Sequence, residues 1–240
     1  MKSGVKRTTP YKVISIIILV ILAILFLFPL YWIVTGAFKP TTDIYASQPV
    51  WWPSEWVTSN FEKLFTKRSA PLFEIGSLVA PTVPAAIRWL VNTVFMSVAA
   101  MLLTCITAAM AGYALAKKRF VGRTLLFSLI ICAMALPKQV ILIPLLKEMS
   151  ALKLYGSLWA VIFPTVGWPF GVFLMKQFCE GVPGEMLEAA RIDGASEART
   201  FTQIVVPLIK PGIGALAIFT FINSWNDYFM QLVMLPNSAN

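Results

Sequence analysis

Two stretches of the chain hold polar residues at spacings that could do chemistry. The first is Glu188-Ala189-Ala190-Arg191-Ile192-Asp193-Gly194, continued by Ile204-Val205-Val206-Pro207. Its chemistry would be recognition of a partner, with acidic groups at a helix start, small alanines that allow close approach, and a glycine that can turn the chain. The second stretch holds Asn223, Trp225, Asn226, Asp227 and Tyr228. Aromatic rings beside amides and a carboxylate suit sugars, because rings stack on apolar sugar faces and polar groups meet hydroxyls. An interfacial anchor with a subunit contact would use the same residues. Trp168, with Trp159 and Phe170, has the same two readings. No catalytic set accompanies either stretch. There is no histidine and no cysteine cluster at metal-ligand spacing, so neither a metal nor a cofactor is expected. There is also no glycine-rich phosphate loop ending in Gly-Lys-Ser or Gly-Lys-Thr, so nucleotide chemistry would belong to a partner.

The elements around these stretches are apolar. Of the 240 residues 58% are hydrophobic and only 13% charged, against roughly 25% charged in a soluble domain. A bilayer core needs about 20 apolar residues per helix. Val13 to Thr35, Trp89 to Ala116 and Tyr155 to Met175 carry no charge. Thr124 to Leu146 carries one, Lys138, and Gly212 to Leu235 carries one, Asp227. The expectation is an all-α, polytopic membrane protein with five spans. The first run is longer than a signal peptide's apolar core of about 7–15 residues and ends in Pro-Leu-Tyr-Trp, so it reads as a retained span.

Orientation follows from Lys and Arg in the connections. The tail carries Lys2, Lys6, Arg7 and Lys12, and the turn 117–123 carries Lys117, Lys118, Arg119 and Arg123. Placing both in the cytoplasm puts the loop 179–210 there too, and the larger share of the 20 Lys and Arg residues inside. The net charge of +9 is then a matter of topology, with no basic stripe that would suit nucleic acid. Cys105, Cys132 and Cys179 fall in spans or at their cytoplasmic ends. The organisation expected is a cytoplasmic tail (1–12), a first span (13–38), an external segment (39–88), a core domain (89–235) and a truncated external loop (236–240). The external segment, with Trp51, Trp52 and Trp56, reads as an aromatic belt with short helices, or as a receptor surface. Gly167-Trp168-Pro169-Phe170-Gly171 fits small-residue helix packing, or a bend lining a pathway.

Local chemistry predicts a helix–turn–helix in the polar loop. Pro183 suits a first helical turn. Glu185 and Glu188 lie where a helix dipole favours negative charge. Gly194 can take the left-handed conformation that ends a helix, and Ser196 can cap a second one from about Glu197 to Val206. Pro207 and Pro211 would break that helix before the next span.

Glu188-Ala189-Ala190, Gly194, Ile204 and Pro207 stand in register with the EAA signature of binding-protein-dependent ABC importer permeases, which this chain resembles. Val206 departs from it, where the pattern prefers Leu. The form Glu-Ala-Ala-x-Ile-Asp-Gly-Ala at 188–195 resembles the carbohydrate-uptake, maltose-type branch. Pro29 to Lys39 and Phe219 to Tyr228 resemble that branch's first-span exit and fifth span. The resemblance implies a type I importer fold in a bacterial or archaeal cytoplasmic membrane. It implies a coupling helix at Glu188, Ala189, Ala190, Asp193 and Gly194 that seats in an ATP-binding cassette ATPase dimer. A sister permease and an extracytoplasmic sugar-binding protein would complete the assembly. Members have six spans, so a final span, about 20 apolar residues with its flanks, is expected to be missing. An ion-coupled carrier needs membrane-embedded carboxylates or histidines; only Asp227 is available, and the polar loop would be unexplained. An intramembrane enzyme finds no serine–histidine, paired aspartates or metal set.

Overall fold

The computed structural model describes residues 9–66, 69–71, 74–75, 78–79 and 81–236. Lys2, Lys6, Arg7, Lys67, Arg68 and the tail 237–240 lie outside the described residues. The chain divides into two units between Ala86 and Ile87.

In the first unit, α1 (Thr9–Ala37) is apolar on every face and exposed along nearly its whole length, as a helix in lipid would be. The segment after it is tied back to its end. The Tyr31 hydroxyl donates to the Trp51 carbonyl, and the Lys39 ammonium donates to the Val50 carbonyl while lying 4.1 Å from the Trp32 ring. Asn60 donates to the carbonyls of Ala37 and Lys39 at 3.0 and 2.9 Å. Phe28, Tyr31, Trp32, Trp51, Trp52 and Trp56 are linked by ring contacts. Two short helices follow, α2 (Thr41–Ile44) and α3 (Ser59–Thr66). A nested hairpin then pairs β1 (Ser69–Pro71) with β4 (Thr82–Pro84) and, inside it, β2 (Glu74–Ile75) with β3 (Leu78–Val79). Strands of two or three residues leave no alternation to read, so sequence periodicity missed them.

In the second unit, α4 (Ala85–Lys117) is the spine. Ala100, Thr104, Ala108 and Gly112 recur every fourth residue and so share one face. That face is small enough for neighbouring backbones to come close. A methyl group at Gly112 would lie 2.7 Å from the backbone of Met175 and Lys176. Two clusters of buried side chains pack along α4. One gathers Tyr113, Met175, Cys179, Val205, Ile209 and Leu216; the other gathers Met96, Ala160, Ile162, Met230 and Met234.

Three expected spans are interrupted. The run at Thr124–Leu146 is two helices, α5 (Arg123–Met134) and α6 (Lys138–Ala151), bent by 108°. Pro137 lacks an N–H and biases Leu136 away from helical geometry, so the chain turns there and α6 restarts with Pro137 as its cap. The fourth span starts four residues later than expected and runs to Glu180, as α7 (Trp159–Val166) and α8 (Pro169–Glu180) with a step at Gly167–Trp168. The loop helices follow: α9 (Gly184–Ile192), α10 (Glu197–Thr200), a π turn over Phe201–Val205, and α11 (Val206–Leu208). The fifth span is not continuous from Gly212 to Leu235. It is α12 (Lys210–Trp225), then a break at Asn226–Asp227, then α13 (Tyr228–Met234).

By length and composition, α1, α4 and the α7–α8 segment can each cross a membrane, and two bent pairs, α5 with α6 and α10–α11 with α12, raise the number to five. Among the described residues the all-α expectation holds in outline and the number of spans is three to five, the upper figure counting α10–α11 of the polar loop as the first half of a bent span.

Candidate functional site

The polar loop is built by ordinary helix-end chemistry. Pro183 lies just ahead of α9 as its cap rather than in the first turn. At the other end Gly194 is left-handed, with φ +75°. Its N–H bonds the Arg191 carbonyl at 3.1 Å, and the Ala195 N–H bonds the Ala190 carbonyl at 2.9 Å. These are the paired bonds of a Schellman ending, which satisfy carbonyls that a helix end leaves open. Ser196 Oγ then accepts from the Arg199 N–H and starts α10.

Pro207 does not end the second helix. The helical run continues past it to Leu208 and turns by 77° at Ile209, into α12. The π turn explains how. The Val206 N–H reaches back to the Phe201 carbonyl, a wider spacing that relieves the crowding between the proline ring and the preceding turn. Pro211 sits harmlessly at the start of α12.

Glu197 anchors the loop to the end of α4. The Tyr113 hydroxyl donates to Glu197 Oε2 at 3.2 Å, Lys118 forms an ion pair with the same oxygen, and Arg191 approaches Oε1 at 3.7 Å. The Lys118 hydrogen bond, with the charges of Lys118 and Arg191 behind it, holds the Glu197 carboxyl below its ordinary value. Lys117 adds donations to the carbonyls of Glu180 and Val182, at 3.1 and 2.6 Å. The outward face of the loop is Glu188, Ala189, Ile192, Asp193 and Gly194, all exposed, with Ile192 86% exposed. Ala190 is a correction. It was read as part of the offered face, but it is buried, because the Schellman turn folds Ala195 back over it. Ile204 is half-buried in the π turn and Pro207 is exposed.

The second site is a cavity of about 470 Å³. Each of the three helix breaks contributes to its wall: Leu136 and Lys138 from the first, Gly167 and Trp168 from the second, Asp227 from the third. Irregular backbone within a membrane is tolerated where it lines a cavity, and here the breaks converge on one. The Lys138 ammonium lies 3.2 Å from Asp227 Oδ2. Asp227 Oδ1 accepts from the Met230 N–H at 3.1 Å and so caps α13. Thr165, Thr220, Asn223, Ser224 and Phe170 complete the polar and aromatic lining.

Of the residues read as a substrate path, Trp168, Asn223 and Asp227 line this cavity. Trp225, Asn226 and Tyr228 do not. Trp225 stacks on Phe221, Asn226 donates to the Ile222 carbonyl, and Tyr228 is 72% exposed. Trp225 lies within α12, two residues on from Asn223, and residues at that spacing do not share a helix face. Gly171 packs, since a methyl there would meet Ala108, Leu216 and Thr104 at 3.3–3.4 Å; Gly167 faces the cavity instead. Lys138, Tyr113, Lys118 and Glu197 were missed as site residues. For Lys138 a signal existed: it and Asp227 are the lone charges of two apolar runs, and opposite lone charges in spans tend to find each other.

A helical bundle of interrupted, apolar spans around a cavity, with an ordered polar loop at one end, is the frame of a membrane transport subunit. The chain belongs to the family described as binding-protein-dependent transport system inner membrane component, whose model matches residues 106–239. Among curated relatives, the arabinooligosaccharides transport system permease protein AraQ of Halalkalibacterium halodurans is 32% identical over 219 residues, covering 90% of this chain and 73% of that one. Its namesake in Bacillus subtilis is 31% identical, covering 94% and 75%. The fold is similar to that of a bacterial ABC transporter involved in the import of the acidic polysaccharide alginate. The TM-score is 0.74 and the identity 22%, over 100% of this chain and 79% of that one.

Proposed function

We propose that this chain is the permease subunit of an ATP-driven sugar importer. The N-terminus and the loop 179–210 face the cytoplasm, as the basic tail and the basic turn 117–123 require. Glu188, Ala189, Asp193 and Gly194 present the face that meets an ATP-binding cassette ATPase dimer, and Ala190, Ile204 and Pro207 shape the element from behind. A sister permease completes the pathway, and an extracytoplasmic binding protein delivers the cargo. ATP hydrolysis is the partner's, and this chain turns the partner's closure into a tilt of its own spans.

One observation carries the reading. The three helix breaks meet at a cavity whose mainly apolar wall holds Trp168 and Phe170 beside Asn223 and Ser224, rings and polar groups of the kind that meet the apolar faces and hydroxyls of a saccharide. The names of the AraQ relatives support the same cargo class. The test is uptake into liposomes holding this chain with its ATPase, sister permease and binding protein, with arabinotriose as probe. Accumulation that needs both ATP and the binding protein is expected. Uptake that runs without ATP, on an ion gradient alone, would overturn the reading.

A further inference from the structure

Among the cavity's lining residues only Lys138 and Asp227 carry charge, and they neutralise each other. The two partners are held unequally. Asp227 is fixed by its cap bond to Met230, and its side chain is 17% exposed. Lys138 stands at the first residue of α6 on a flexible stem, with its side chain 58% exposed. The Lys138 ammonium has three donors and could reach a guest carboxylate without leaving Asp227, but its one positive charge would then face two carboxylates. That surplus negative charge beside the largely buried Asp227 is an arrangement that low-dielectric surroundings penalise. A guest with hydroxyls alone asks nothing of the pair. One lining residue has spare capacity. The Asn223 amide donates its N–H to the Phe219 carbonyl, leaving its oxygen as an acceptor.

We propose that Asp227 sets the charge selectivity of this cavity. By holding Lys138 it keeps the cavity neutral, so that uncharged saccharides are admitted and uronates refused. The saccharide half of this statement rests on the sugar-path reading above; the charge filter does not.

The experiment reads the two separately. In the assembled transporter in nanodiscs, with Cys132→Ser as background, Met134→Cys places a reporter thiol on the cavity wall. Its labelling rates are compared for 2-sulfonatoethyl methanethiosulfonate, an anion, and 2-(trimethylammonium)ethyl methanethiosulfonate, a cation. Asp227→Asn, which can still cap α13, is expected to raise the anion-to-cation rate ratio about tenfold, and Lys138→Met to lower it by about as much. A ratio unchanged in both variants overturns the filter. Protection of the thiol is then measured with arabinotriose and with trigalacturonate. Arabinotriose should protect the parent and Asp227→Asn, and trigalacturonate only Asp227→Asn. Equal protection of the parent by both overturns the filter. A shifted ratio with no protection by either sugar supports the filter and refutes the sugar path.

Discussion

The polar loop and the cavity use charge in opposite ways. In the loop, one carboxylate, Glu197, gathers three partners, from α4, the turn after it and α9. In the cavity, one cation meets one carboxylate, and the cation's side chain is more than half exposed. The loop also satisfies its backbone internally, through the Schellman ending at Gly194 and the Ser196 cap. The cavity leaves polar capacity open at the Asn223 amide oxygen, which its N–H donation to the Phe219 carbonyl does not use. In the proposed coupling role, redundant anchors suit an element that transmits force. In the proposed cargo path, exchangeable contacts suit a site that must let its guest go. Both hang on the same spine, α4, whose small residues let α8 approach to backbone contact.

That shared spine is where the contrast breaks most easily. A helix-interior Gly→Ala change is ordinarily stabilising by roughly 0.5–1 kcal/mol. At Gly112 the added methyl would press on the Met175–Lys176 backbone, and overpacking of that kind costs about 1–3 kcal/mol. Gly112→Ala should therefore lower the unfolding midpoint in detergent, while Gly214→Ala, in α12 with open space around it, should leave it equal or raise it. Equal shifts in the two variants would show that α4 and α8 are not in backbone contact.

The loop's own order is tested by smaller changes. Ser196→Ala removes a cap, a loss of about 1 kcal/mol in typical hosts. It should speed amide exchange in α10 and leave the cavity-lining helices unchanged. Exchange that rises in α13 as well would join the two regions more tightly than their contacts suggest. The subtlest test is titration of Glu197. Its carboxyl is held below its ordinary value, so its anchoring is complete above the normal carboxylate range and is lost as pH falls through the lowered value. A spin label at Ala198→Cys should stay ordered through the ordinary carboxylate range and loosen only below it. In Glu197→Gln the label should already be loose at pH 7. A parent label that loosens within the ordinary range would place no stabilising partner on Glu197.

Much of the loop was legible because its chemistry is local. Proline, alanine, glycine and serine each act within a few residues, so the turn at Gly194 and the cap at Ser196 could be read in place. Ala190 was misread because its burial depends on how Ala195 folds back over it, which spacing alone does not reveal. The spans were legible from long runs with at most one charge each, and a bend at Gly167–Gly171 was one of two readings open there, but the breaks at Pro137 and Asp227 emerged only with the structure. The cavity was the least legible part. Lys138 and Asp227 lie far apart in the chain and meet only after two helices have broken. Trp168 and Asn223 join them by tertiary placement, whereas Trp225 and Tyr228, equally plausible by type, turn away. Short hairpin strands in the first unit carried too little pattern to see.

The proposed coupling of the loop to the spans is tested most directly at Gly194, whose turn joins α9 to α10. Its left-handed φ strains a β-branched residue even though the space beside it is open. In proteoliposomes holding the complete transporter, Gly194→Val should still co-purify with its ATPase and still hydrolyse ATP, while ATP-driven uptake of arabinotriose falls to background. Uptake at the parent's rate in that variant would contradict the claim.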